Sequence, residues 1–253
     1  MKEKRDPSLH KGHRERMKKR MLNSDLYDFQ EHEILEMLLF YAIPRGDTNE
    51  LAHRIINECG GSLYNVFNSS FNSLTAIKGV SAHTASLLKM IPKLSAYYAC
   101  SGVRGSKGFS INDTEKVSRY FEALFSSSIK EEVYFAGVTD ELIMERPKLI
   151  YRGTLSAALL NTGSFLNFVS DYGYSRLIMA HNHPHGTCLP SKKDIKLTKF
   201  MVESLARMGI ALEDHIIVGT NGSMSMRSSR LVDQIWTERS YSSENGDDEF
   251  DIW

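Results

Sequence analysis

Helical periodicity runs through residues 10–99. In EHEILEMLLFYAI, apolar residues such as Leu35 and Leu39 recur at helical spacing while glutamates take the other faces. DTNELAHRIINEC begins with cap-forming residues and ends at Gly60-Gly61, which predicts a second helix. SLTAIKGVSAHTASLLKMIPKLSAYYA predicts two more helices, joined by a tight Gly-Val-Ser turn. The chain therefore opens with an all-helical domain.

The pattern changes at 100–115, where CSGVRGSKGFSINDTE is rich in Gly and Ser and predicts a linker. After one more helix, EEVYFAGVTD, KLIYRGTL and RLIMAHNH have the β-branched and aromatic content of strands. SKKDIKLTKFMVESLARMG predicts an amphipathic helix, and LEDHIIVGTNGSMSM predicts a hairpin that turns at Asn221-Gly222. These elements define a mixed α/β domain at 116–231.

Composition narrows the class of protein. The formal net charge is zero, so the overall charge does not favour a nucleic-acid or membrane partner. Cys59, Cys100 and Cys188 are too few and too widely spaced for a disulfide framework. The first residues are charged from the second position and lack the apolar segment of a signal peptide, and no apolar run approaches the roughly 20 residues of a membrane span. We expect a cytoplasmic protein with no membrane partner, and an acidic, disordered tail at 232–253.

The stretch HNHPHGTCLPSKKD carries the candidate chemistry. Because strand side chains alternate between faces, His181 and His183 point the same way, roughly 7 Å apart at about 3.3 Å per residue. Pro184 ends the strand, and Asp194 enters in the first turn of the next helix. Two imidazoles and one carboxylate leave a fourth position open, which is the pattern of catalytic zinc.

Simpler interpretations of these residues stay open. A His-x-His pair occurs by accident on protein surfaces, and the Ser191 to Asp194 spacing is also that of a helix capping box. His185 is a loop residue to which the pattern gives no role. Cys188 has a zinc-binding thiol but lies mid-loop, where a small residue is ordinary.

The whole combination resembles the signature of JAMM (MPN+) metalloproteases: His-x-His-Pro, six residues, then Ser-x-x-Asp. It is complete here in His181, His183, Pro184, Ser191 and Asp194. The resemblance implies that the two histidines and the aspartate bind zinc and that the serine helps to stabilise the oxyanion. It also implies an upstream glutamate that activates the attacking water.

Flanking segments resemble the bacterial RadC (UPF0758) family over roughly residues 10–228. They are LIMAHNHP, PSKKDIKLT, LARMGIALEDHIIVG and HEILEMLLFYAIPRGDTNELAHRII. The resemblance implies a helical, helix-hairpin-helix-like N-terminal domain followed by a cytidine-deaminase-like, or JAB, mixed α/β domain.

The resemblance places the upstream glutamate at the start of EEVYFAGVTD. Glu132 is the predicted base and Glu131 is the alternative, although either could be an exposed acid at a strand end. In the last strand, Asp214-His215 resembles a family pair, and alternation sends one side chain inward. That side chain either orients a zinc-binding histidine or is a core histidine bonded to the backbone. His185 stands where the family usually has serine, which leaves substrate recognition open.

Residues 74–91, LTAIKGVSAHTASLLKMI, resemble a helix-hairpin-helix, whose turn meets DNA phosphates through backbone N–H groups. The candidate DNA contacts are Gly79 and Ser81 in the turn and the nearby Lys78 and Lys89. The usual second glycine is Ser81 here, and many such hairpins serve only packing or protein contacts.

The sequence therefore predicts a JAMM-type zinc hydrolase acting on a peptide or protein substrate, with Glu132 as general base and Ser191 beside the oxyanion. One alternative is a DNA-processing protein whose metal site cuts phosphodiester bonds. Another is a non-catalytic adaptor with a structural zinc. The oligomeric state is not predicted.

Overall fold

The computed structural model describes residues 12–153, 163–229 and 234–237. The chain divides into two compact units, Met1–Ser95 and Ala96–Trp253. No helix in the described part of the chain is long and apolar enough to cross a membrane.

The described residues of the first unit are helical, as predicted. Leu35, Ile55, Leu74 and Leu88 are fully buried and form the centre of its apolar core. The elements are α1 (His13–Asn23), a 3-10 helix (Leu26–Asp28), α2 (Glu31–Ala42), α3 (Asn49–Glu58), α4 (Leu63–Asn68), α5 (Phe71–Ala76) and the beginning of α6 (Ala82–Arg104).

The turn between α5 and α6 forms where the sequence predicts it. Gly79 has φ +98°, a left-handed conformation that favours glycine. Val80 is buried in the core, and the Ser81 hydroxyl accepts a hydrogen bond from the Thr84 N–H. Ser81 therefore caps the first turn of α6.

The described residues of the second unit form a five-stranded mixed sheet in the order β2-β1-β3-β4-β5. Strands β3 and β4 are parallel, and the other neighbours are antiparallel. The elements are α7 (Thr114–Phe125), β1 (Glu132–Gly137), β2 (Lys148–Arg152), α8 (Gly163–Tyr172), β3 (Arg176–Asn182), α9 (Lys192–Arg207), β4 (Ala211–Gly219), β5 (Gly222–Ser225) and α10 (Gln234–Thr237).

Each face of this sheet has its own core. Leu177 and Met179 of β3 pack in one core with side chains of α8 and α9. Ile178 and Ala180 point to the opposite face and pack in a second core with α7. The next residue, His181, therefore lies on the face covered by α9, which carries Asp194.

Two predicted boundaries differ from the structure. The predicted linker at 100–115 begins inside α6, and both Cys100 and Phe109 are buried in the second unit. The hairpin loop is Thr220-Asn221 rather than Asn221-Gly222, because Gly222 pairs with Gly219.

The acidic tail predicted at 232–253 includes α10, whose four residues are ordered. The Trp236 indole N–H donates to the Leu212 carbonyl at 2.9 Å, and Ile235 and Trp236 pack against the core of α8 and α9. The rest of the predicted tail lies outside the described residues.

Candidate metal centre

Three potential ligand atoms converge at the end of β3. His181 Nε2 lies 2.9 Å from His183 Nε2. The Asp194 carboxylate places Oδ1 3.4 Å from His181 Nε2 and Oδ2 3.5 Å from His183 Nε2. Ligand atoms around a tetrahedral zinc lie about 3.3 Å apart, because each is bonded to the ion at about 2.0–2.1 Å. The three side chains therefore fit a small divalent ion.

The start of α9 orients the Asp194 carboxylate. Ser191 N–H donates to Asp194 Oδ2 at 2.7 Å, and Ser191 Oγ accepts from Asp194 N–H at 3.2 Å. This is the capping box that the sequence offers as a simpler interpretation. It is compatible with a ligand role, because the box occupies Oδ2 and leaves Oδ1 directed at His181.

The loop after β3 fixes the ring of His183. Its Nδ1 lies 2.7 Å from the Thr187 carbonyl oxygen. A carbonyl can only accept, so Nδ1 carries a hydrogen, and in the neutral ring Nε2 keeps its lone pair. That lone pair is on the nitrogen that faces His181 and Asp194.

Burial and the contacts among the three groups shift their pKa values in different directions. Burial lowers the pKa of His181 despite its contact with Asp194, whereas the contact with Asp194 raises the pKa of His183. Burial opposes ionisation of Asp194, but its contacts with His181, His183 and Ser191 hold its pKa well below the usual range. An ionised Asp194 beside a neutral His181 is what metal coordination requires.

Of the pair Asp214-His215, only the histidine faces the cluster. His215 is fully buried, and its Nε2 lies 2.7 Å from His181 Nδ1. Burial holds the pKa of His215 well below its usual value. Asp214 lies away from the three ligands and accepts hydrogen bonds from Ser225 Oγ and the backbone of Arg227.

The structure does not place Glu132 near these ligands. Its carboxylate is buried and accepts hydrogen bonds from Ser128 Oγ at 2.6 Å and from Arg152 Nε at 2.8 Å. Glu132 and Arg152 therefore form an ion pair. Val133 pairs with His181 across β1 and β3 and shares its face, so the neighbouring Glu132 points to the opposite face. This corrects the expectation that the Glu132 side chain faces the metal.

Glu131, the alternative, lies one residue before β1, and strand alternation continued from Val133 turns its side chain to the face of His181. Burial dominates the pKa of His181 and the Asp194 contact dominates that of His183, and the negative charge of Glu131 acts in addition to raise both, in keeping with a place near the two imidazoles. The Glu131 residue is partly exposed. Of the two glutamates that the family resemblance offers as the base, Glu131 therefore fits the observed geometry better than Glu132.

Asn182, between the two histidines, has a structural role that the sequence did not reveal. It is 3% exposed. Its Nδ2 donates to the Lys130 carbonyl at 3.1 Å, and its Oδ1 accepts from the Glu132 N–H at 2.8 Å. These two bonds bracket Glu131 and fix the start of β1 against the end of β3. In the sequence, the only indication of this role was the position of the Asn182 amide between the two predicted ligands His181 and His183.

The remaining candidates have ordinary surroundings. His185 is exposed. Cys188 is buried, its N–H donates to Asn221 Oδ1, and it is not one of the three clustered ligands. In the first unit, Lys78 and Gly79 are exposed on the turn before α6.

The Lys89 side chain forms its hydrogen bonds within the first unit. Its ammonium donates to the carbonyls of Phe67 and Ser69 at 2.7 and 2.8 Å, at the end of α4. Burial lowers the pKa of this amine. The expectation that Lys89 meets DNA phosphate is therefore at odds with its contacts, which satisfy helix-terminal carbonyls instead.

Lys89→Met is expected to destabilise the first unit by about 1–2 kcal/mol, because two carbonyls lose a charged donor that is only partly exposed. Native-state hydrogen exchange of α4 and α6 amides in the full chain would measure this. Lys93→Met, at an exposed position on the same helix, is the matched control and should leave exchange unchanged. Equal protection in both variants would contradict a stabilising role for Lys89.

Comparison with known proteins identifies the class. Residues 111–231 match the family model described as RadC-like JAB domain, the range that contains the mixed sheet and the three clustered ligands. A UPF0758 protein of Fusobacterium nucleatum is 30% identical over 228 residues, covering 87% of this chain and 97% of the relative. The chain belongs to the RadC (UPF0758) family. The domain and the cluster together indicate a metal-binding, JAMM-like hydrolase.

Proposed function

We propose that this protein is a zinc-dependent hydrolase that cleaves a peptide or isopeptide bond in a protein substrate. The observation that carries the proposal is the approach of His181, His183 and Asp194 to one another. Structural zinc sites use four protein ligands, whereas catalytic sites use three and leave one position open. Within the part of the chain that the structure describes, this cluster has three.

The donor set favours zinc. Two imidazole nitrogens beside one carboxylate oxygen suit zinc better than magnesium or calcium, which prefer sites made of oxygen ligands alone. When bound, zinc lowers the pKa of a coordinated water to about 7 and polarises a carbonyl oxygen.

Glu131 is the proposed general base. Its carboxylate accepts a proton from the attacking water and returns it to the leaving nitrogen. Its place directly before β1, in phase with Val133 and so with His181, and its partial exposure support this role. Asn182 holds the backbone on both sides of Glu131, so the carboxylate is attached to a fixed segment.

Ser191 is the residue that we propose stabilises the oxyanion. Its Oγ accepts a hydrogen bond from the Asp194 N–H, so its own hydroxyl hydrogen remains available for donation. An exposed hydroxyl beside the ligand Asp194 suits donation to the oxyanion that develops on the attacked carbonyl.

The test is a parallel activity screen of the full chain after zinc loading. Peptide, isopeptide-linked and nucleic-acid substrates are incubated with and without a chelator. Chelator-sensitive release of a new amine from a peptide or isopeptide substrate is the expected result. Chelator-sensitive cleavage of nucleic acid alone would replace the proposal with a DNA-processing function.

The turn before α6 is the part of the first unit that we propose contacts DNA phosphates. The exposed Lys78 stands next to Gly79, where the backbone lacks a side chain. Such contact would not read base sequence.

Lys78→Glu is therefore expected to weaken DNA binding by the full chain equally for all sequences, and wild-type affinity should fall steeply as salt rises. Fluorescence anisotropy at several ionic strengths would measure both effects. If wild type shows no salt-sensitive binding at low ionic strength, the turn serves packing or protein contact instead.

A further inference from the structure

A chain of three buried hydrogen bonds lies behind His181. His181 Nδ1 is 2.7 Å from His215 Nε2, and His215 Nδ1 is 2.7 Å from Thr198 Oγ1. Thr198 Oγ1 is in turn 2.6 Å from the main-chain oxygen of Asp194. Thr198 and His215 are 0% exposed and His181 is 1% exposed. Water therefore does not compete for these bonds.

The donor and the acceptor of each of these three hydrogen bonds follow from the last bond, to the Asp194 carbonyl. The Asp194 carbonyl can only accept, so the Thr198 hydroxyl donates to it. A hydroxyl has one hydrogen, so Thr198 must accept from His215. The hydrogen on that side of the ring is consequently on His215 Nδ1. The Met226 sulfur, 3.4 Å from Thr198 Oγ1, is a weak acceptor and does not change this assignment.

His215 carries only that one ring hydrogen. Its two nitrogens contact the Thr198 hydroxyl and the His181 imidazole, with no carboxylate on either nitrogen among the described contacts. A charged imidazole buried without a counter-ion is costly. In the neutral ring, Nε2 is an acceptor and must receive its hydrogen from His181 Nδ1.

We propose that Thr198 is a positioning residue of the metal centre, which acts through His215 to fix His181 in the tautomer whose Nε2 lone pair faces the metal. The inference rests on the proposed zinc site. Thr198 lies one helical turn after Asp194 on α9 and bonds to its carbonyl, so a single hydroxyl organises two of the three ligands. Partners of this kind hold ligand orientation in metal sites generally.

Thr198→Val removes the hydroxyl and keeps the shape of the side chain. We expect zinc binding to weaken by about 10–100-fold, the usual effect of losing a residue that orients a ligand. Thr198→Ser restores the hydroxyl and should restore affinity. Thr75→Val is the control, because the Thr75 hydroxyl also bonds to the carbonyl four residues earlier but contacts no imidazole. Competition with a chromophoric chelator measures all four proteins.

A second readout reports the tautomer directly. In the metal-free, 15N-histidine-labelled protein, long-range proton–nitrogen spectra should show His181 protonated on Nδ1 in wild type and in Thr198→Ser. In Thr198→Val the ring should lose this single tautomer. The comparison requires that Thr198→Val stays folded, because an imidazole released into water also exchanges its hydrogen between the two ring nitrogens.

The outcomes separate the two proposals. Wild type that binds no zinc contradicts the proposed function, while the spectrum of the metal-free protein still tests the relay. A wild-type spectrum with the hydrogen on His181 Nε2 overturns the inference, even if Thr198→Val fails to fold. Wild-type zinc affinity in a folded Thr198→Val protein also overturns it.

Discussion

Replacing His181 and His183 together by alanine is expected to remove zinc, from about one ion per chain to background. Two of the three ligand atoms disappear, and Asp194 alone cannot hold the ion against water. Elemental analysis of the purified proteins after zinc loading and gel filtration measures the change. It is the largest effect that the structure predicts, because it removes the site rather than adjusting it.

The double variant should remain folded. The core against α8 and α9 contains neither histidine, so we expect a loss of about 1–3 kcal/mol from the emptied positions. Circular dichroism and thermal unfolding check this. His185→Ala, in the same loop but exposed, is the matched control and should keep full zinc. Equal zinc in wild type and the double variant would show that the ion binds elsewhere.

Glu131→Gln is expected to lower turnover by about 10²–10⁴-fold while zinc content stays unchanged. The amide keeps the size of the side chain but cannot accept the proton. The comparison uses the substrate found in the activity screen, with turnover number and Michaelis constant measured separately. A base that acts in the reaction should affect turnover rather than the Michaelis constant.

Glu132→Gln is the matched control for the base. Its carboxylate bonds to Arg152 and Ser128 on the opposite face of β1, so turnover should change little. Weakening the buried ion pair should instead lower stability modestly. Loss of turnover in Glu132→Gln with full turnover in Glu131→Gln would reverse the assignment.

The clustering of the three proposed metal ligands was predictable because short-range rules place them. Alternation along one strand puts His181 and His183 on the same face. The capping spacing puts Asp194 in the first turn of α9, where the observed capping box orients it. None of these steps requires knowledge of how distant segments pair.

The base was not predictable by the same rules. A shift of one residue in strand phase moves a side chain to the other face, so EEVYFAGVTD alone cannot decide between Glu131 and Glu132. The pairing of Val133 with His181, 48 positions later in the chain, turns Glu132 to the opposite face and so favours Glu131 as the proposed base. The relay through His215 and Thr198 likewise depends on the parallel pairing of β3 with β4.

The linker illustrates a different limit. Glycine and serine content at 100–115 suggested an irregular segment, but α6 continues to Arg104. Cys100 and Phe109 pack in the core beneath α7, and Arg104 donates to the Met144 carbonyl at 2.8 Å. Tertiary packing of these side chains overrides the local composition.

X-ray absorption spectroscopy at the zinc edge tests the central claim most directly, because it reports which atoms bind the ion. The zinc-loaded full chain should show two imidazole nitrogens and oxygen ligands at about 2.0–2.2 Å, with no sulfur. Those ligands are His181, His183 and Asp194. A sulfur shell at about 2.3 Å, as a cysteine such as Cys188 would supply, or the absence of imidazole scattering, would contradict the assignment.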